Sequence, residues 1–112
     1  MTAEPEQPSG RRVIFIVAGG PLAEPRLLRD RILEVGPEEV VCADGGACHV
    51  LELGLMPQAV IGDLDSLPKA SLDELTAGGC RILRYPPRKD ETDTELALRY
   101  ALDRQPDRIE IY

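Results

Sequence analysis

Residues 39–66 read EVVCADGGACHVLELGLMPQAVIGDLDS, and the order of events in them sets the fold class. Glu39 to Ala43 (EVVCA) is a short, almost wholly apolar run that breaks at Asp44-Gly45-Gly46. An apolar-periodic stretch follows through Leu53-Gly54, and Ala59-Val60-Ile61 is another brief run, stopped by Gly62-Asp63-Leu64-Asp65-Ser66. Runs that are solidly apolar rather than alternating mark strands buried on both faces. Strand, glycine turn, helix and strand in that order make the unit of a parallel sheet.

The same grammar extends in both directions. Upstream, Arg12 to Val17 (RVIFIV) predicts a strand that ends in Ala18-Gly19-Gly20-Pro21. From Glu24 to Val35, Leu27, Leu28, Ile32 and Leu33 recur at helical spacing. Gly36-Pro37 stops that helix, and Pro25 is tolerable in its first turn. Downstream, Ser71 with Glu74 predicts a capping box opening a helix that ends at Gly78-Gly79. Arg81 to Tyr85 reads as a fourth strand, followed by a polar loop from Pro86 to Asp90. Thr92 with Glu95 predicts a second capping box, and Leu96, Ala97, Tyr100 and Ala101 give that helix one apolar face. Arg108 to Tyr112 begins a fifth strand. The expected fold is α/β, a doubly wound, mainly parallel sheet of Rossmann-like kind with helices on both faces. It occupies residues 11–112, behind a polar leader at 1–10 (MTAEPEQPSG) that reads as disordered.

Composition narrows the partners. Thirteen Lys and Arg against twenty Asp and Glu give a net charge of −7, which argues against a footprint on nucleic-acid phosphates. No apolar stretch approaches the length of a membrane span, so no membrane partner is expected. Cys42, Cys48 and Cys80 are odd in number and form no CxxC pair, which fits a reducing, cytoplasmic home rather than disulfides or zinc.

Ligands of such sheets bind in the crevice beyond the carboxyl ends of the strands, so the loops there are the candidates. Asp63 and Asp65 lie two apart, a spacing that lets both carboxylates face one ion while Leu64 points away. Magnesium takes a few hard oxygens and keeps several waters, and Asp93, or less directly Asp90, can supply a third carboxylate from the neighbouring loop. Gly19-Gly20 and Gly45-Gly46 offer backbone amides for phosphate oxygens without an intruding Cβ. Arg88 and Lys89 can hold the triphosphate charge that the metal does not neutralise. The single histidine, His49, reads as a structural or surface residue, and Cys48 beside it as a small packing residue.

Three of these segments together carry a resemblance. Asp44-Gly45-Gly46-Ala47, then Pro57 ahead of Ile61-Gly62-Asp63-Leu64-Asp65-Ser66, then Lys89-Asp90-Glu91-Thr92-Asp93-Thr94-Glu95 resemble, in order and spacing, the signatures of thiamine pyrophosphokinases. The resemblance implies transfer of a diphosphoryl group from ATP to thiamine, giving AMP and thiamine diphosphate, with Mg²⁺ required. It implies Asp63, Asp65 and Asp93 as metal ligands, with Asp44 as an acid near the substrate hydroxyl and the phosphates. It also implies Ser66, Lys89 and Thr92 as supporting phosphate or loop contacts, with Asp90 in reserve.

Cys48 departs from the asparagine usual in that family. Tyr112 falls before the family's glycine-rich segment and its C-terminal β domain. The family commonly completes its thiamine pocket across a homodimer, so the chain alone is expected to fold but not to turn over. A pyrophosphokinase for another alcohol, such as a hydroxymethylpterin, or a non-catalytic nucleotide-binding module, remain the alternatives.

Overall fold

The computed structural model describes residues 12–86 and 92–112. Elements alternate along the chain as β1 (Val13–Val17), α1 (Pro25–Val35), β2 (Glu39–Ala43), α2 (Gly46–Glu52), β3 (Ala59–Gly62), α3 (Lys69–Ala77), β4 (Arg81–Arg84), α4 (Asp93–Asp103) and β5 (Arg108–Ile111). All strand pairs are parallel, in the order β4-β3-β2-β1-β5. Each of the first three crossovers steps to the next strand on one side, and α4 carries the chain back across to the opposite edge. This is the α/β, doubly wound arrangement expected from the apolar runs.

The period of two along each strand divides the core into two layers. Val13, Phe15, Val17, Val40, Cys42 and Val60 point to the face covered by Leu28 of α1, Ala47 and Val50 of α2, and Leu75 of α3. Ile14, Ile16, Val41, Ala43, Ala59 and Ile61 meet Leu96, Ala97 and Ala101 of α4 on the other face. All of β1, β2 and β3 is buried, whereas β4 and β5 are exposed at both of their ends, as edge strands are.

Two expectations need correction. The helix after the acidic loop does not open at a Ser71–Glu74 capping box: α3 starts at Lys69, with extended Pro68 as its N-cap and no side-chain cap. Pro68 fixes its own φ and turns the chain into the helix at once, which puts Ser71 inside the first turn. In α1, the apolar face is narrower than its spacing suggests: Leu28 is buried, but Leu27 and Leu33 are 60% and 56% exposed. The Thr92–Glu95 capping box of α4 forms as read, with Glu95 N–H donating to Thr92 Oγ1 (3.0 Å) and Thr92 N–H to Glu95 Oε1 (2.7 Å).

The N-terminal edge of the sheet carries a polar clamp. Glu39, at the start of β2, is the buried charged residue among those described. Its carboxylate accepts from Arg81 at the start of β4 (2.7 Å) and from the Tyr100 hydroxyl on α4 (3.1 Å), and it pairs with Arg104 just beyond α4. Both guanidinium groups lie over the Tyr100 ring, at 5.9 and 4.8 Å. A buried carboxylate is tolerable when paired and hydrogen-bonded in this way, and the pairing ties the end of α4 to two strands.

Candidate active site

The opposite, carboxyl edge of the central strands holds the acidic cluster. Asp44 follows β2 in a left-handed conformation (φ 45°), one that Asp tolerates better than most residues. Asp63 follows β3, and Asp93 opens α4. Oxygens of these three carboxylates all lie within 4.8 Å of one another, each residue half-buried.

Local backbone choices bring them together. Gly62 has φ 142°, and a Cβ built on it would come within 2.8 Å of the Asp93 carboxylate, so only glycine leaves room for α4 to deliver that group. Leu64 sits at φ 68°, a strained geometry for a leucine, and its side chain is held in the core at 2% exposure. This buried anchor turns the loop so that Asp63 faces the cluster, while the Asp65 residue is exposed. Asp65 N–H donates to Asp63 Oδ1 (3.1 Å), and Arg84 Nη1 donates to the Asp63 carbonyl (3.2 Å).

Charge is incompletely compensated within the cluster. Ser66 Oγ donates to Asp44 Oδ2 (2.6 Å), yet Asp44 Oδ1 is buried with no hydrogen-bond partner among the described residues. Burial pushes the Asp93 carboxyl above its ordinary range, and the charges of Asp44 and Asp63 push it the same way. Three converging carboxylates, with Asp44 Oδ1 left unpartnered among the described residues, are a donor set that suits a divalent cation.

Beside the trio lies an open cleft of about 470 Å³, lined by residues that include Gly19, Asp44, Gly45, His49, Ser66 and Asp93. Gly19 and Gly45 pack close together: a Cβ on Gly19 would sit a tight 3.3 Å from the Gly45 nitrogen, whereas one on Gly45 would meet only ordinary contacts at 3.8 Å. Gly46 serves packing: a Cβ there would fall 2.0 Å from the Val17 carbonyl oxygen, so glycine lets α2 seat on the end of β1. Gly20 has open space around it, and its carbonyl receives a bond from His49 Nε2 (2.6 Å). Burial holds the Cys42 thiol well above its ordinary range and raises Cys80 to about 11, which leaves both inert as nucleophiles.

Set against the residues singled out in the sequence, the structure brings Asp44, Asp63 and Asp93 into one trio and leaves Asp65 outside it, on the exposed side of its loop. Thr92 is occupied as the cap of α4. Arg88, Lys89 and Asp90 lie outside the described residues. Gly62, Arg84 and the His49 bond were not anticipated; a glycine directly before the first Asp was the available signal for the first of them. No helix formed by the described residues is long and apolar enough to cross a membrane.

Comparison with known proteins meets this geometry. The family model described as "Thiamin pyrophosphokinase, catalytic domain" matches residues 37–112. The thiamine pyrophosphokinase of Bacillus subtilis (strain 168) is 32% identical over 102 residues, covering 90% of this chain and 46% of the relative. The crystal structure of that enzyme superposes with a TM-score of 0.68 at 31% identity, covering 90% of this chain and 46% of that one. A thiamin pyrophosphokinase family protein from Enterococcus faecalis gives a TM-score of 0.63 at 34% identity, over 88% of this chain and 45% of that one. The chain thus spans a little under half the length of these relatives.

Proposed function

Since the chain belongs to the thiamin pyrophosphokinase family, we propose that it supplies the ATP- and magnesium-binding half of a site that transfers a diphosphoryl group from ATP to thiamine, releasing AMP. The observation that carries this reading is the carboxylate trio Asp44, Asp63 and Asp93, with its orphaned Asp44 oxygen, at the mouth of a glycine-walled cleft.

The residues present fit magnesium. The donors are hard oxygens, one buried acceptor of Asp44 is unsatisfied among the described residues, and Gly62 clears the space that Asp93 occupies. Asp44, Asp63 and Asp93 would hold the ion; Asp65, exposed, contributes negative charge at the lip of the loop. When bound, magnesium neutralises phosphate charge and aligns the transferred group.

The remaining work belongs to the chain. Diphosphoryl transfer depends mainly on positioning and charge stabilisation, so no covalent nucleophile is needed. Ser66 fixes the Asp44 carboxylate through Oδ2 and leaves Oδ1 without a partner among the described residues. Among the carboxylates, Asp44 is the one we assign to take the proton of the attacking hydroxyl. The Gly19 and Gly45 backbones form a wall without side chains, against which a polyphosphate can lie closely.

Calorimetric titration of the chain with a non-hydrolysable ATP analogue, with and without Mg²⁺, tests the proposal. Magnesium-dependent binding that disappears in Asp63→Asn, with circular dichroism unchanged, is expected. Binding that is indifferent to magnesium, or equal in wild type and Asp63→Asn, would remove the assignment.

A further inference from the structure

We propose that His49 is a positioning residue for the nucleotide: it latches the loop after β1 against α2 and so fixes one wall of the cleft. This rests on the cleft being the nucleotide site argued above.

A carbonyl oxygen can only accept a hydrogen bond, so the 2.6 Å contact between His49 Nε2 and the Gly20 carbonyl requires the proton to be on Nε2. The bond joins segments 29 residues apart, the β1 loop and the α2 helix. Around it Gly19 packs against Gly45 and Leu22 against the core, but between Ala18 and Glu24 the loop makes few other hydrogen bonds among the described residues. Gly19 and Gly20 are exposed, nothing lies within 4 Å of a Cβ placed on Gly20, and the next hydrogen-bonded backbone begins at Glu24. Glycine backbone has the most conformational freedom to lose, so a bond to the Gly20 carbonyl matters to the order of the loop.

His49 is well placed to supply that order. It sits in the last turn of the short helix α2, whose start is pinned by the close Gly46 contact with Val17. Its ring lines the same cleft as Gly19, Asp44, Ser66 and Asp93. The side chain therefore connects a fixed helix to a permissive loop at the cleft wall, with no contact to the carboxylate trio required. Loss of the latch should release the Gly19–Gly20 backbone and weaken the binding of a polyphosphate, while leaving the metal-binding carboxylates in place.

The test compares wild type with His49→Ala, His49→Gln and His49→Asn. Two quantities are read: hydrogen exchange of residues 18–23 and affinity for the magnesium complex of a non-hydrolysable ATP analogue. His49→Ala is expected to speed exchange in the loop and weaken nucleotide affinity roughly threefold to tenfold, the worth of one hydrogen bond. Binding of Mn²⁺ alone should be unchanged. Gln, whose amide nitrogen reaches about as far as Nε2, should restore both readouts, and the shorter Asn should restore neither. Nucleotide affinity in His49→Ala equal to that of wild type would overturn the latch while leaving the site standing. Rescue by Asn as good as by Gln would overturn it as well. Absence of magnesium-dependent binding in wild type itself would overturn the nucleotide site and this role with it.

Discussion

Neutralising Asp93 should make the metal-free protein more stable and at the same time abolish its response to magnesium. Oxygens of Asp44, Asp63 and Asp93 lie within 4.8 Å of one another, and at an effective dielectric of about 20 two unit charges at that distance repel by about 3.5 kcal/mol. The three groups are half-buried, so water screens much of this, and roughly 1–2 kcal/mol of relief is a fair expectation for Asp93→Asn. Against that stands the loss of a negative charge in the first turn of α4, worth about 0.3–1 kcal/mol. Burial, first, and the charges of Asp44 and Asp63 all disfavour the charged form of Asp93, so the relief is expected to exceed the loss. A net gain of about 1 kcal/mol corresponds to a rise in Tm of about 4–8 °C for a domain of this size. Wild type, by contrast, gains about 1.4 kcal/mol when free Mg²⁺ is about ten times its Kd. Differential scanning fluorimetry across a magnesium series should therefore show the two melting curves exchanging order. A lower metal-free Tm in Asp93→Asn, or a magnesium response equal to that of wild type, would refute the reasoning.

Further outcomes follow from single positions. Gly62→Ala should cost about 1–3 kcal/mol, from its φ of 142° and from the carboxylate 2.8 Å from the new Cβ; denaturant unfolding reads the stability, and Mn²⁺ titration should show weakened binding. Gly46→Ala should be strongly destabilising, since its Cβ would meet the Val17 carbonyl oxygen at 2.0 Å, whereas Gly20→Ala, with open space, should change Tm by less than about 2 °C. Glu110 is held at about 2, chiefly by hydrogen bonds from Arg31, against an ordinary value of 4.5. Its contribution to stability is fully present above pH 4.5 and fades as pH falls toward 2. In Glu110→Gln this part of the acid limb should flatten in a Tm–pH series.

The central strands were legible because burial on both faces leaves a short apolar run, as in Val13–Val17 and Val40–Ala43, and the glycine turns that follow mark it as a strand rather than a buried helix segment. The second capping box was legible for a local reason: Thr92 and Glu95 satisfy one another. The first failed because Pro68, directly before Lys69, decided where α3 begins before Ser71 could act. At the site, the sequence placed the carboxylates on one rim but not in one cluster. Which of Asp44, Asp63 and Asp65 meets Asp93 depends on the burial of Leu64 and on how Leu96, Ala97 and Ala101 seat α4 on the sheet, both settled by tertiary packing. The His49 latch was invisible for a simpler reason, since its partner is a backbone carbonyl that any residue at position 20 would offer.

Helix α4 touches both edges of the sheet: Tyr100 and the adjoining Arg104 meet Glu39 at one, and Asp93 meets the acidic cluster at the other. Its 11 residues therefore act as a ruler of about 16 Å, at 1.5 Å per residue. One residue inserted or removed would turn one end by about 100° against the other, so the clamp and the carboxylate could not both keep their places. The length of this segment is fixed from two directions at once, and substitutions along its exposed side are tolerated in a way that insertions and deletions are not.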